Sequence, residues 1–323
     1  MPTKEFQDTV QHFTSFLLDK GRKPSTIKRY AYDIVNFGQW LQKSKNLPLR
    51  NIWATLSTED YEEYFNDLKK QRNYSDKTIH RVYIVLSRLY QYLEIPNPLE
   101  DMNLIIQPNR ALRDEDFISK SEEIRLKYIL TSLEGLTEKQ RSVRPVLMDR
   151  NTAIVHLLIN NGLSLQELVG LQMNHVHFEN NTILVPGIVG IERTIHLIEN
   201  DKKILFNYYK TIPEPVRPRY HSNDPLFVAF DFTRKTYHWS YNNDAPKALT
   251  EIAVQKMIRL EVERANLRKG ISAQHLRNTF ILRLIENEVL EEQIIKHVGF
   301  KSKLALKRYY DYNDKEGRLY EEK

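Results

Sequence analysis

Helical periodicity fails at Pro96 and does not resume until about Lys120, and this interruption divides the chain in two. Pro96, Pro98 and Pro108 lead into the charged run from Arg110 to Asp116. Proline fixes φ and removes an amide donor, so a proline-rich, charge-rich stretch without an apolar stripe resists both helix and sheet. The pattern predicts a linker over 101–120, a first domain over 1–100 and a second over 121–323.

Before the break the spacing predicts four helices. The first covers 5–20 and stops at Gly21 and Pro24. The second starts from Ser25 as N-cap and runs to about Gln42, with Ile27, Ala31, Ile34, Phe37 and Leu41 on one face. The third begins at Ser57, with Asp60 in the capping-box position. The fourth begins at Ser75, and Ile79, Tyr83, Leu86, Tyr90 and Leu93 alternate steps of four and three, which makes a single buried stripe.

After the break, helices are expected over 121–132 and 149–160, then strands Thr182–Val185 and Arg193–Leu197 joined as a hairpin through Gly187 and Gly190. Residues 211–247 carry five prolines and show no readable period. Helices resume at Thr250–Asn266, Ala273–Glu286, Glu291–His297 and Lys303–Tyr310. The fold class is therefore mainly α with a small β-sheet.

The chain has no cysteine, which excludes disulfides and thiolate metal sites and fits a reducing cytoplasm. Neither a metal nor a cofactor is expected. No apolar run approaches a membrane span. A net charge of +6 favours an acidic partner, and its distribution says more than its size. Two helix starts look alike: Lys23-Pro24-Ser25-Thr26-Ile27-Lys28-Arg29 and Ser75-Asp76-Lys77-Thr78-Ile79-His80-Arg81. A helix N-terminus offers free amides and a positive dipole end. With hydroxyls and cations added in the first turn, each start is a candidate phosphate clamp. Lys23, Ser25, Thr26, Lys28, Arg29, Ser75, Lys77, Thr78 and Arg81 are the residues concerned. A second basic stretch, Lys296 to Arg308, carries Lys296, Lys301, Lys303, Lys307 and Arg308 without an acidic residue.

The segment 272–312 contains Gln274-His275-Leu276-Arg277, then Val298-Gly299-Phe300, then Tyr309 nine positions after Phe300. It resembles the active-site block of the tyrosine recombinases, the phage integrase family, in which a helix carries His-x-x-Arg, a second stretch reads Leu-Gly-His and a nucleophilic Tyr follows. The paired helix starts resemble the same family's core-binding domain. The resemblance implies an N-terminal four-helix, SAM-like domain and a C-terminal α+β domain of the recombinase catalytic type. It also implies attack by Tyr on a DNA phosphate, with two Arg, a hairpin Lys and two His or Trp groups assisting.

Only part of that set is kept. Arg277, Tyr309 and Arg193 match. Ser164 stands where the family's first Arg belongs, in Gly162-Leu163-Ser164-Leu165-Gln166-Glu167-Leu168. Ile188 stands where the hairpin Lys belongs, Gln274 where the helix His belongs, and Phe300 where the second His or Trp belongs. Serine cannot supply a guanidinium fork, and isoleucine has no proton to give. His275 lies two residues from Arg277, off its helix face, and reads as a packing residue.

On these grounds the chain is expected not to be an enzyme, with Arg277 and Tyr309 vestigial. The resemblance extends to the master repressors of SPβ-type Bacillus phages, which implies a transcriptional repressor that maintains lysogeny from a duplex DNA operator. An antagonist protein or weak self-association on DNA is a further partner expectation. Gln255, Lys256 and Arg259 are the candidate base readers in a major groove. The alternatives are an active recombinase with Tyr309 as nucleophile and divergent catalytic residues, or an accessory DNA-binding protein in recombination.

Overall fold

The computed structural model describes residues 4–45, 52–102 and 110–321, with side chains in the last helix to Asp314. The chain separates into two compact units, 1–110 and 111–323. The second half of the expected linker thus belongs to the second unit.

The first unit is built from α1 (Lys4–Asp19), α2 (Pro24–Trp40), α3 (Thr58–Lys70) and α4 (Asp76–Leu93). The second helix differs from expectation at its start: Lys23 is the N-cap, Pro24 takes the first turn and Ser25 lies inside the helix. Pro is favoured there because its missing amide would have no partner. At α3, Ser57 donates its amide to Asp60 Oδ2 at 3.0 Å. At α4, Ser75 Oγ accepts the Thr78 amide at 3.3 Å. The core is aromatic. Phe37 lies 5.0 Å from Tyr61 and 4.8 Å from Tyr64, ring centre to ring centre. Tyr61 and Tyr90 pair their hydroxyls at 2.7 Å, and Tyr90 donates to the Trp53 carbonyl at 2.9 Å. These bonds satisfy phenols that would otherwise be costly to bury.

The second unit opens with α5 (Lys120–Thr131) and α6 (Glu138–Ile159). The latter begins eleven residues earlier than the expected Asp149. Thr137 and Gln140 form a capping box, and the helix carries Pro145 in its interior. From Asn151 to Ile159 it is buried on every side, so no amphipathic stripe announces it. Arg144 and Arg264 share the carboxylate of Glu261 and donate to the last carbonyls of α5, among them Ile129. Two buried cations there meet the negative end of a helix dipole as well as Glu261.

Then follow α7 (Leu165–Val169), β1 (Val176–His177), β2 (Thr182–Val185), β3 (Arg193–His196) and α8 (Glu199–Thr211). The three strands are antiparallel in chain order, with Ile183 opposite both Val176 and Ile195. The short strand β1 and the helix α8 were not foreseen. His156 on α6 holds Asp201 on α8 at 2.6 Å. The unreadable stretch 211–247 forms two small hairpins, β4 (Phe230–Asp231) with β5 (Thr236–Tyr237) and β6 (Trp239–Ser240) with β7 (Ala245–Pro246). Their strands are two residues each, too short to show alternation. Four helices close the unit: α9 (Glu251–Arg264), α10 (Ala273–Glu286), α11 (Glu291–Val298) and α12 (Leu304–Glu321). The helix α12 carries on well past the expected end at Tyr310. The side chains of Leu319 and Tyr320 fall outside the described residues.

Among the described residues no helix is long and apolar enough to cross a membrane, and no cluster of His, Asp or Glu is placed to hold a metal ion.

Candidate functional site

The centre of the second unit is a carboxylate between two guanidinium groups. Gly162, at φ +62°, turns the chain out of α6. Ser164 then caps α7, and its amide donates to Glu167 Oε2 at 2.7 Å. That capping box fixes the carboxylate of Glu167 where Arg193 from β3 reaches Oε1 at 2.6 Å and Arg277 from α10 reaches Oε2 at 2.9 Å. Arg193 also donates to the His297 carbonyl at 2.8 Å. Arg277 donates to the carbonyls of Gly162 and Val298, at 2.7 and 2.8 Å. Burial works against ionising Glu167, but the hydrogen bonds of Arg193 and the charges of both arginines outweigh it and hold the carboxyl down to about 2.

Arg193 is 6% exposed and Arg277 7%. Both were expected to contact DNA. Both are instead turned inward, because Glu167 and three backbone carbonyls take their donors. Gly299, at φ +68°, ends α11 directly against Arg193, and a Cβ there would collide with the guanidinium. Its carbonyl accepts the Ile191 amide at 3.1 Å, so the β2–β3 hairpin is tied to the turn between α11 and α12. Ile188 stands on that hairpin, 73% exposed.

Tyr309 projects from α12 into the same region. Its hydroxyl donates to Asn278 Oδ1 at 2.8 Å, next in sequence to Arg277. Gln274 donates to the same oxygen at 2.7 Å. Burial pushes the Tyr309 phenol up, opposed by the charges of Arg308 and Arg277. Phe300 lies under the Arg277 guanidinium with 5.5 Å to the ring centre, a cation–π contact in place of a polar one. His275 is half-buried; its Nδ1 meets the Ser272 amide at 3.2 Å in the capping box of α10. His297 turns its Nδ1 to the Gln293 carbonyl at 2.8 Å.

In the sequence Glu167 stands in the stretch 162–168 without an evident role, and Asn278 lies outside the family motif. Two signals were available. Glu167 follows Ser164 by three residues, the capping-box spacing, and Asn278 follows Gln274 by one helical turn.

The other candidates lie on the surface. At the start of α2, Lys23, Ser25, Lys28 and Arg29 are exposed and Thr26 is partly covered. At the start of α4, Ser75 and Lys77 are exposed and Thr78 is partly covered. Arg81 is committed elsewhere: it grips the buried Asp33 through two bonds, at 3.0 and 2.9 Å. Gln255, Lys256 and Arg259 share the exposed face of α9. Lys296, Lys301, Lys303, Lys307 and Arg308 are all exposed, but Lys303 lies 3.8 Å from Glu292 and Lys307 3.0 Å from Asp311. The acids lie on helices α11 and α12, outside the stretch that reads as purely basic.

Residues 139–316 match the phage integrase family and residues 10–95 match the N-terminal SAM-like domain of phage integrases. The chain is 25% identical over 301 residues to a tyrosine recombinase XerC of Caldanaerobacter subterraneus, covering 86% of this chain and 75% of that one. It is 25% identical over 321 residues to a tyrosine recombinase XerD of Listeria monocytogenes, covering 94% and 97%. The Tn1549 transposon integrase solved in complex with transposon right end DNA superimposes with a TM-score of 0.65 at 18% identity, over 94% of each chain. The XerH recombinase bound to its difH substrate gives 0.63 at 18%, over 88% of this chain and 75% of that one.

These relatives correct one expectation. The replaced groups at Ser164, Ile188, Gln274 and Phe300 argue for a chain that is not an enzyme, yet its relatives over most of its length are named as enzymes. Effects of groups acting in one site are not additive, so a count of replaced groups does not fix the residual chemistry. With the family matched over more than half the chain and both of its domains present in order, this protein belongs to the phage integrase family.

Proposed function

We propose that this chain binds duplex DNA at a specific sequence and that Tyr309 is the group through which it joins itself to a DNA phosphate. The observation that carries this is the placement of the Tyr309 hydroxyl on Asn278, immediately beside Arg277 and its Phe300 seat. Support comes from the relatives, named as tyrosine recombinases, and from the structural neighbours solved on DNA.

In the reaction the phenol gives up its proton to water as its oxygen forms a bond to phosphorus, the bond from phosphorus to the 5′-oxygen breaks, and that oxygen takes a proton and leaves as a hydroxyl. Ile188 cannot supply the proton, so it comes from water or from an exposed lysine. The exposed cations at the starts of α2 and α4 and along 296–308 hold further phosphates of the duplex. The face of α9 with Gln255, Lys256 and Arg259 reads bases.

The test is a nicked suicide duplex built on a site recovered by genome-wide mapping of bound DNA. A covalent adduct with the unaltered protein, absent in Tyr309→Phe, is the expected result. Tight, specific binding without any adduct removes the strand-transfer half. Bound sites confined to promoters would then make the chain an operator-binding repressor, whereas sites at recombination ends keep it with its relatives.

A further inference from the structure

The phenol of Tyr309 is 3% exposed, and everything that fixes it leads back to one strap. Asn278 Oδ1 accepts from Tyr309 at 2.8 Å and from Gln274 at 2.7 Å. An amide oxygen has two lone pairs, so it is saturated. The amide nitrogen of Asn278 in turn donates to the Asp116 carbonyl at 3.0 Å. Asp116 lies in residues 111–118, the segment by which the chain enters the second unit.

This strap is held from both sides of the site. Toward α10, the Ile118 amide donates to Thr279 Oγ1 at 2.9 Å, one residue beyond Asn278. Toward α12, Phe117 meets the Tyr312 ring at 4.6 Å between centres, and the Tyr312 hydroxyl donates to Asp114 Oδ1 at 3.2 Å. Arg268 fixes the strap backbone by donating to the carbonyls of Glu115, at 2.9 Å, and Phe117. Leu112 and Phe117 share an apolar cluster with Tyr309, Ile281 and Leu306.

We propose that Asn278 is a positioning residue for Tyr309, holding the phenol as a donor inside the protein, and that the strap 111–118 sets that hold. An amide oxygen is too weak a base to take the phenol proton. In this arrangement Tyr309 is therefore kept protonated and covered, and it becomes reactive only when the strap shifts and Asn278 lets go. The inference rests on the reading of Tyr309 as the reacting group.

Its test uses the full chain with 3-fluorotyrosine at position 309 alone, followed by fluorine NMR through a pH titration. In the otherwise unaltered protein the signal should be that of a shielded ring and titrate above free fluorotyrosine. Asn278→Ala should move the signal toward the solvent position and lower its titration. Asn278→Asp, which keeps an acceptor for the phenol but loses the donor to the Asp116 carbonyl, should restore only part of the shielded position. Arg268→Ala, on a side chain remote from the phenol, should reproduce part of the Asn278→Ala change.

A signal unmoved in Asn278→Ala overturns the positioning role. Movement in Asn278→Ala but none in Arg268→Ala overturns the role of the strap. On the suicide duplex, Asn278→Ala should form the adduct about tenfold faster, the factor one buried hydrogen bond is worth, and Arg268→Ala faster by a smaller factor. Adducts that form no faster overturn the hold as a brake on the reaction. Absence of adduct in every variant counts against the reading of Tyr309 as nucleophile, while the fluorine result still decides the positioning.

Discussion

Glu167 and Arg277 meet at 2.9 Å across 110 positions of sequence, and Arg193 completes the contact from the other side. The three side chains are buried, so no solvent screens the pairing. Removing the carboxylate strands two guanidinium groups. Glu167→Gln is therefore expected to cost about 3–5 kcal/mol, read from urea denaturation at neutral pH.

The same carboxylate predicts an acid limb. Its folded value of about 2 lies below its unfolded value. The stabilisation is thus complete above the unfolded value, near 4.3, and is lost as pH falls from there toward 2; it amounts to roughly 3 kcal/mol. Stability measured between about pH 5 and pH 3 should fall more steeply in the unaltered protein than in Glu167→Gln. Parallel curves would mean that Glu167 is not ionised against its arginines.

Gly299 and Gly21 make a matched pair. Both lie at positive φ, +68° and +73°, but a Cβ at Gly21 meets nothing within 4 Å, whereas one at Gly299 runs into the Arg193 guanidinium. Gly21→Ala should cost the left-handed strain alone, about 1–2 kcal/mol. Gly299→Ala should cost distinctly more and carry an acid limb flattened like that of Glu167→Gln, because the new methyl drives Arg193 off the carboxylate. The two are read from the unfolding transitions of their own units.

How far these features could be read from sequence follows from the range of the interactions. Helices α3 and α4 showed in advance because cap and apolar stripe lie within one short stretch, from Ser57 and from Ser75. The length of α6 did not: burial on all sides from Asn151 to Ile159 erases the stripe, and Pro145 argues for a boundary where there is none. The frame of the site was legible in Arg277, Phe300 and Tyr309. The inward turn of Arg193 and Arg277 was not, because it depends on the Gly162, His297 and Val298 carbonyls, which carry no side-chain signature. Likewise Arg81 reads as a phosphate contact until Asp33, 48 positions earlier, is seen to hold it.

In the first unit the order of two tyrosine substitutions is fixed by who donates to whom. Tyr90 donates to the Trp53 carbonyl and pairs with the Tyr61 hydroxyl. Tyr90→Phe leaves both of those groups without a partner in the core, at about 1–3 kcal/mol. Tyr61→Phe removes one end of the chain and leaves the bond to Trp53 intact, so it should cost about 1 kcal/mol or less. Thermal denaturation of the two variants gives the order directly, and equal costs would mean that the Trp53 carbonyl finds another donor.

The exposed cations and the face of α9 are expected to fail in different ways when altered. Lys77, beside the cap at Ser75, and Lys301, outside the ion pairs that engage Lys303 and Lys307, are exposed cations. Lys77→Ala and Lys301→Ala should each weaken DNA binding about equally on all sequences and reduce the slope of log K against log salt by about 1. Gln255 and Arg259 sit one turn apart on α9 and are both exposed. If they read bases, Gln255→Ala and Arg259→Ala should each cost about 1–3 kcal/mol on the preferred site and little on unrelated duplex, relaxing specificity at one or two base pairs. Binding titrations at several salt concentrations, on the mapped site and on a scrambled one, separate the two behaviours. A uniform loss in the α9 variants would place base readout on another element.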